Sequence, residues 1–337
     1  MRKKSVSLAL QGGGSHGAFT WGVLDYFMED GRVSVEGISG TSAGAMNAVV
    51  LAQGYMDGKA DGAREALESF WKAVSKLGSL SLVQRSPLDV LMGNWNLDGS
   101  PAYLMSDLLS RVASPYDTNP LKINPLRDLV ESVIDFDKVR ACDPLKLFIA
   151  ATNVHTGKIK VFERPELTAD MVLASACLPF LYHAVEIDGT PYWDGGYVGN
   201  PPLFPLFHNT KSRDILIVQI NPIERLETPK TARDILNRVN EISFNSSLLR
   251  ELRSVDFVHR LLREHKLEPE RYADILMHRI EASAEMKALS ASSKVNAEWP
   301  FLTHLRDVGR ESAKAFLDQH YDTLGERSSF DLRHEFS

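Results

Sequence analysis

The stretch VEGISGTSAGAMNAVV, residues 35–50, decides the fold. Residues 35–40 read as a buried strand, and the Ala-rich run 43–55 reads as a buried helix. Between them stands GTSAG, residues 40–44, a G-x-S-x-G turn that joins strand to helix. A nucleophile elbow needs that context. Gly40 and Gly44 permit the sharp turn and a close helix crossing, and Ser42 projects its hydroxyl from the bend. The helix N-terminus beneath it adds partial positive charge where an anion would form.

Upstream, LALQGGGSHGAF, residues 8–19, runs a first strand into three consecutive glycines. Each glycine costs conformational entropy on folding, so a run of three implies something held too close to the backbone for side chains. Gly12, Gly14 and Gly17 also fit G-x-G-x-x-G between a strand and a helix over 18–28. One reading is therefore a dinucleotide-binding enzyme with Glu36 as its ribose acid. Glu36, however, falls near the start of the second strand, whereas that acid belongs at its end.

A serine nucleophile needs a base. The α/β-hydrolase order would supply Asp and then His downstream, from His208, His259 or His278. Here the elbow arrives after only one earlier strand, too early for that order. GTPYWDGGYVGNPPLFP, residues 189–205, offers Asp194 after an aromatic-ended strand and before Gly195 and Gly196. It reads either as an Asp-Gly hairpin turn or as a carboxylate held at a sheet edge.

Taken in order, the glycine loop, G-x-S-x-G and D-G-G resemble the patatin-like phospholipase family, over roughly residues 5 to 210. LASACLPFLY, residues 173–182, is similar to that family's A-S-x-A-x-P-x-x-F segment. The resemblance implies a serine-dependent lipid acyl hydrolase, of phospholipase A or lysophospholipase type. Ser42 and Asp194 would form its catalytic dyad. Gly12, Gly13 and Gly14 would form the oxyanion hole, with Gly12 shaping the loop and the amides of Gly13 and Gly14 donating. The same apparatus would serve an esterase acting on short polyester or hydroxyacid oligomers. The family's loop usually carries Arg where this chain has His16, and often Asp where it has Gln11. His16 is then either a structural loop residue or a base, and Gln11 a structural change.

Further strands are expected at 145–154, 158–163, 184–189 and 214–221, alternating with helices such as 63–76 and 168–176. This is the pattern of a three-layer α/β/α fold with a central, mostly parallel sheet. Residues 78–125 interrupt it and read as a lid or a packed insertion. From residue 231 the chain turns helical, with further helices expected around 270–289 and 297–323. The organisation is thus an acyl hydrolase domain over 1–225 and a C-terminal helical extension over 226–337. The latter is similar to a segment that follows this domain in some bacterial proteins. Its apolar stripe (Ile235, Val239, Ile242, Leu249, Leu252) suits core packing or a homo-oligomer seam, and Arg250, Arg253, Arg260 and Arg263 suit a solvated face.

Composition bounds the rest. The 337 residues are 44% hydrophobic and 24% charged, with formal net charge −6. Nothing in that balance announces nucleic acid or an anionic membrane. Cys142 and Cys177 form neither a metal spacing nor a disulfide framework. The basic start MRKK leads into an apolar run too short for a signal peptide, which reads instead as the first core strand. The expectation is a cytoplasmic, cofactor-free, metal-free enzyme. Its partner is a lipid or other acyl ester, met in transient contact with a membrane surface.

Overall fold

A computed structural model describes residues 3–268 and 272–335. The first strand β1 (Lys4–Leu10) pairs in parallel with β2 (Val33–Gly40) on one side and β7 (Asp214–Gln219) on the other. Strand β3 (Lys146–Asn153) continues the parallel sheet beyond β2, and β8 (Leu276–Glu281) continues it beyond β7. Strands β4 (Ile159–Glu163) and β6 (Thr190–Asp194) run antiparallel to β3, and β5 (Val185–Ile187) pairs with β6.

The register along β3 places the site. Strand β4 runs along one edge of β3, from Phe148 to Thr152. The opposite edge is shared. Strand β2 pairs with Lys146–Ile149, and β6 takes over at Ala151–Asn153. The end of β2 and the end of β6 therefore meet above one strand.

Helices cover both faces, as alternating strand residues require. On one face pack α1 (Gly17–Asp30), α2 (Ala43–Ser79) and α12 (Trp299–His320), against Val6, Leu8, Leu10, Leu216 and Val218. On the other, Ala9, Ile215 and Ile217 meet Leu206 of α9 (Phe204–Asn209) and Leu248, Leu252 and Val255 of α10 (Ala232–Arg263). Helix α1 is apolar on nearly all sides because α12 covers its outer side. A Cβ on Gly22 would lie 1.9 Å from the Arg306 carbonyl oxygen, and one on Gly309 2.1 Å from that of Phe19. The two backbones touch.

Between β2 and β3 come α2, kinked at Gly58 and Lys59, and then α3 (Pro87–Leu91), α4 (Pro101–Val112), α5 (Pro115–Thr118), α6 (Pro125–Val133) and α7 (Phe136–Ala141). Helix α8 (Ala169–Ser175) follows β4. Three Ser-Pro or Asn-Pro pairs start α3, α4 and α6. In each the side chain caps the first turn, and proline supplies the fixed φ at the first helical position.

The helix expected around 270–289 is corrected. Residues 276–281 form β8, and only α11 (Ser283–Ala288) is helical; residues 269–271 lie outside the described residues. His278 and Arg279 hide the strand from a hydrophobicity pattern. The buried His278 is accepted inside the sheet because its Nε2 meets Asp214 Oδ1 at 2.8 Å. Arg250, Arg253, Arg260 and Arg263 all lie on the exposed side of α10.

Candidate active site

Ser42 stands between β2 and α2 with φ 54° and ψ −120°, a left-handed conformation that a residue with a Cβ adopts only under constraint. The constraints are close backbone approaches. A Cβ on Gly44 would lie 2.3 Å from the Leu10 carbonyl oxygen, and one on Gly40 2.8 Å from that of Gly44. The first turn of α2 thus sits directly on the end of β1. Gly17 brings the start of α1 equally near, a Cβ there falling 2.6 Å from Ala43 Cβ. The Ser42 amide donates to Ser175 Oγ at 2.9 Å. Ser175 is buried at the end of α8, within the 173–182 segment singled out in the sequence.

Asp194 ends β6 and is 1% exposed. Its amide donates to the Cys177 carbonyl at 2.8 Å, and its carbonyl accepts from Thr152 Oγ1 at 2.7 Å. The carboxylate accepts the Gly196 amide at 2.7 Å and lies within hydrogen-bonding reach of the Ser42 hydroxyl. Burial pushes this carboxyl up to about 7, against the pull of the Gly196 amide, the Ser42 hydroxyl and the Lys294 charge. Gly195 lets the turn pass β3, since a Cβ there would meet the Ala150 carbonyl oxygen at 2.3 Å.

The glycine loop crosses directly above Ser42. A Cβ on Gly12 would fall 2.7 Å from Ser42 Cβ, so no other residue fits there. The Gly12 amide is already engaged, donating to Asn200 Oδ1 at 2.7 Å, and its carbonyl accepts from Asn221 Nδ2 at 2.7 Å. The amides of Gly13 and Gly14 make no hydrogen bond among the described residues. Gly13 is part-exposed and Gly14 exposed, with φ +59°. Two unengaged N–H groups thus stand beside a strained serine.

Buried amides hold the loop from behind. Gln11 Oε1 accepts from the Ile220 and Asn221 amides at 3.0 and 2.9 Å, and its Nε2 reaches Asn245 Oδ1 at 3.2 Å. A neutral carboxamide suits a position that must both donate and accept. His16 is buried beside Ser293, its Nε2 2.7 Å from Ser293 Oγ. The Ser293 hydroxyl donates to the Ser290 carbonyl, so His16 Nε2–H is the donor in that pair. Burial and the charges of Lys294 and Arg225 hold His16 well below the ordinary histidine range. His16 is neutral and engaged, which fits the structural alternative.

The other candidate bases lie elsewhere. His278 pairs with Asp214, while His208 and His259 line a cleft with Arg213, Asp256 and Asp274. Glu36 accepts the Lys211 and Ser212 amides at 2.8 and 2.9 Å, which ties down a loop at the base of β2, far from the position of a ribose acid. A cavity of about 230 Å³ behind the loop shares Ile220 and Asn221 with it but includes neither Ser42 nor Asp194. Sequence reasoning missed Asn200, Asn221, Ser293 and Lys294. Asn200 stood inside the quoted 189–205 stretch, whereas the other three carried no local signal.

Fold and site define a three-layer α/β protein with a serine on a strained strand-to-helix turn beside a bare glycine loop. The chain matches the patatin-like phospholipase family over residues 8–207 and belongs to it. No curated protein matches the chain. Among solved structures it is similar to VipD from Legionella pneumophila, with 15% identity, TM-score 0.47, and 95% of this chain and 67% of VipD covered. It is also similar to ExoU in its heterodimeric complex with SpcU, from the type III secretion system of Pseudomonas aeruginosa. There the identity is 17% and the TM-score 0.39, with 95% of this chain but 52% of ExoU covered, so the chain spans about half of ExoU's length.

Proposed function

We propose that the chain is a serine-dependent lipid acyl hydrolase, of phospholipase A or lysophospholipase type, working through Ser42 and Asp194. The observation that carries this reading is a buried carboxylate within reach of an elbow serine and raised toward neutral pH. A raised carboxyl can take a proton from the serine and return it within the pH range of the cell. Ser42 Oγ attacks the ester carbonyl and its proton passes to Asp194. The oxyanion that forms is met by the amides of Gly13 and Gly14. Asp194 then protonates the departing alcohol, leaving an acyl-serine. Water attacks that ester with Asp194 again as base, releasing the acid and restoring Ser42. Asp194 takes the water's proton and passes it to the departing Ser42 oxygen, so every proton moves among these two side chains, the substrate and the water.

The 78–125 segment supports a lipid surface as the place of action. Its two ends are fastened to different parts of the chain. On the glycine-loop side, the Leu97 amide donates to Ser292 Oγ at 2.8 Å, and Arg85 pairs with Glu298. On the Asp194 side, His183 Nε2 lies 3.0 and 2.9 Å from the Pro115 and Asn119 carbonyls. Between these anchors α4 turns Leu104, Met105, Leu108, Leu109 and Val112 to solvent, one face at helical spacing, and Phe180 and Leu181, just before His183, are also exposed. An apolar face so placed fits a lid that meets lipid. No helix among the described residues is long and apolar enough to cross a membrane. Action from the cytoplasm at a membrane surface is the proposed setting.

The test compares wild type, Ser42→Ala and Asp194→Asn. A fluorophosphonate probe, p-nitrophenyl esters of rising chain length, phosphatidylcholine, lysophosphatidylcholine and a hydroxybutyrate oligomer serve as substrates. Ser42→Ala should abolish labelling and cut turnover by about 10⁴-fold or more. Asp194→Asn should keep the fold and lose most hydrolysis. Preference for the oligomer over both lipids would move the assignment to a polyester esterase. Absence of both labelling and hydrolysis in wild type would overturn it.

A further inference from the structure

One ammonium in the site has no task in the chemistry above. Lys294 belongs to the short 3-10 turn Ala291–Val295, which wraps the glycine loop from outside. A Cβ on Gly14 would lie 2.4 Å from the Lys294 carbonyl oxygen, and the neighbouring Ser293 holds His16. The Lys294 side chain turns back inward. Its Nζ donates to Asn221 Oδ1 at 2.8 Å, and Asn221 Nδ2 donates to the Gly12 carbonyl at 2.7 Å. Ammonium, carboxamide and glycine carbonyl form a chain that ends on the loop, while Asn200 grips the Gly12 amide from the other side.

The charges around Lys294 come from three elements. Glu241 on α10 and Asp194 at the end of β6 attract it, and Arg225 repels it. Glu241 is already shared, pairing with Arg225 at 2.7 Å and Arg238 at 3.1 Å. Lys294 has no carboxylate within salt-bridge distance among the described residues, and its hydrogen-bond partner Asn221 is neutral. Burial holds its ammonium below the ordinary lysine range, with Glu241 and Asp194 opposing that shift. The Gly196 amide and the Ser42 hydroxyl, and more weakly the Lys294 charge, pull the Asp194 carboxyl down, and the neutral Tyr197 and Cys177 feel its charge.

We propose that Lys294 is a positioning residue of the active centre, its ammonium fixing the Gly12–Gly14 loop through Asn221. The proposal rests on the Ser42–Asp194 reading. It also gives residues 290–296 a part in the chemistry, so the site is completed from beyond the 8–207 match.

The test measures kcat/KM at neutral pH for full-length wild type, Lys294→Met, Lys294→Gln and Lys294→Arg on a soluble short-chain ester. In parallel, the Gly13 and Gly14 amides are followed by ¹⁵N NMR, which needs no turnover. Lys294→Met should lower kcat/KM about tenfold or more. It should also displace both amide resonances. Lys294→Gln and Lys294→Arg keep a donor for Asn221, so their fall in rate and their displacement should be smaller. A folded Lys294→Met variant with unchanged kcat/KM and unchanged amide resonances would overturn the proposal. A wild type inactive on every ester would sink the hydrolase reading alone, and the amide resonances would still decide for or against the role of Lys294.

Discussion

Gly40 and Asp194 lie two positions apart on one edge of β3: Gly40 pairs with Ile149 and Asp194 with Ala151. The first belongs to a parallel neighbour and the second to an antiparallel one. Strand β2 must stop where β6 begins, and the chain leaves β2 there through Thr41 into Ser42. Ser42 and Asp194 are thus brought together by the pairing of three strands, not by a flexible loop. A backbone frame of that kind holds distances to within the tolerance acyl transfer requires.

The burial of Asp194 has a stability consequence opposite in sign to the usual carboxylate. Its folded-state value, about 7, lies above the ordinary 3.8. Stability from this group is therefore fully present below about pH 4 and is lost as pH rises toward 7 and beyond. Asp194→Asn should melt higher than wild type at pH 8, by at least about 2 °C, with the gap closing by pH 5. Activity runs the other way, with the acid limb of kcat/KM falling near pH 7 in wild type. Differential scanning calorimetry at the two pH values checks the first statement. A melting gap that widened toward low pH would refute it.

Gly44 is the tightest point of the elbow. Gly44→Ala puts a methyl carbon 2.3 Å from the Leu10 carbonyl oxygen, and backbone stands on both sides. The expected outcome is a loss of about 2 kcal/mol or more of stability, together with loss of activity. Gly157→Ala is the control, because nothing lies within 4 Å of a Cβ there, although φ is +66°. It should cost only the backbone strain, about 1 kcal/mol, and leave turnover intact. Urea melts and ester hydrolysis on the pair separate the two effects.

His16→Arg installs the side chain that the family resemblance leads one to expect and should nonetheless harm this protein. The site is buried, and Lys294 and Arg225 already disfavour positive charge at position 16. A permanently charged guanidinium there should destabilise the fold by about 3 kcal/mol or more. His16→Gln, neutral and able to donate to Ser293 Oγ, should keep most stability and activity. Chemical denaturation of both variants is the measurement. Equal tolerance of Arg and Gln would mean the loop can rearrange around the charge.

The apolar face of α4 should matter only where lipid is aggregated. Met105→Ser combined with Leu108→Ser removes two exposed apolar side chains that cover nothing in the core. Hydrolysis of a soluble short ester should stay within about twofold of wild type. Hydrolysis of vesicle phospholipid should fall about tenfold, in line with the lost burial of two side chains in the bilayer surface. Vesicle sedimentation should show the same loss of binding. Equal decline on both substrates would assign the face to folding instead.

The first 220 residues were legible where local pattern and local structure coincide. Strands β1, β2, β3, β4 and β7 are short apolar runs bounded by turn residues, and the elbow and D-G-G carry glycines that their backbone approaches require. Strand β8 was not legible, because LMHRIE mixes charge with apolar residues and its burial depends on Asp214, 64 positions away. The contact of Gly22 with Gly309 was equally hidden, since a glycine inside a helix announces no partner. Lys294 was invisible for the same reason: a lone lysine in a serine-rich turn reads as surface until the fold lays it over Gly14.

The close crossing of α1 and α12 also sets an order of events during synthesis. Helix α1 is made long before α12, yet Phe19, Trp21 and Val23 have their full apolar cover only once α12 exists. The strap that shapes the glycine loop emerges just before it. Until translation passes residue 320 the nascent chain carries the Ser42 turn without the finished packing around its glycine loop. On the proposed reading, a chain ended before residue 290 lacks the strap that packs on Gly14 and reaches Asn221, and it should show no ester hydrolysis.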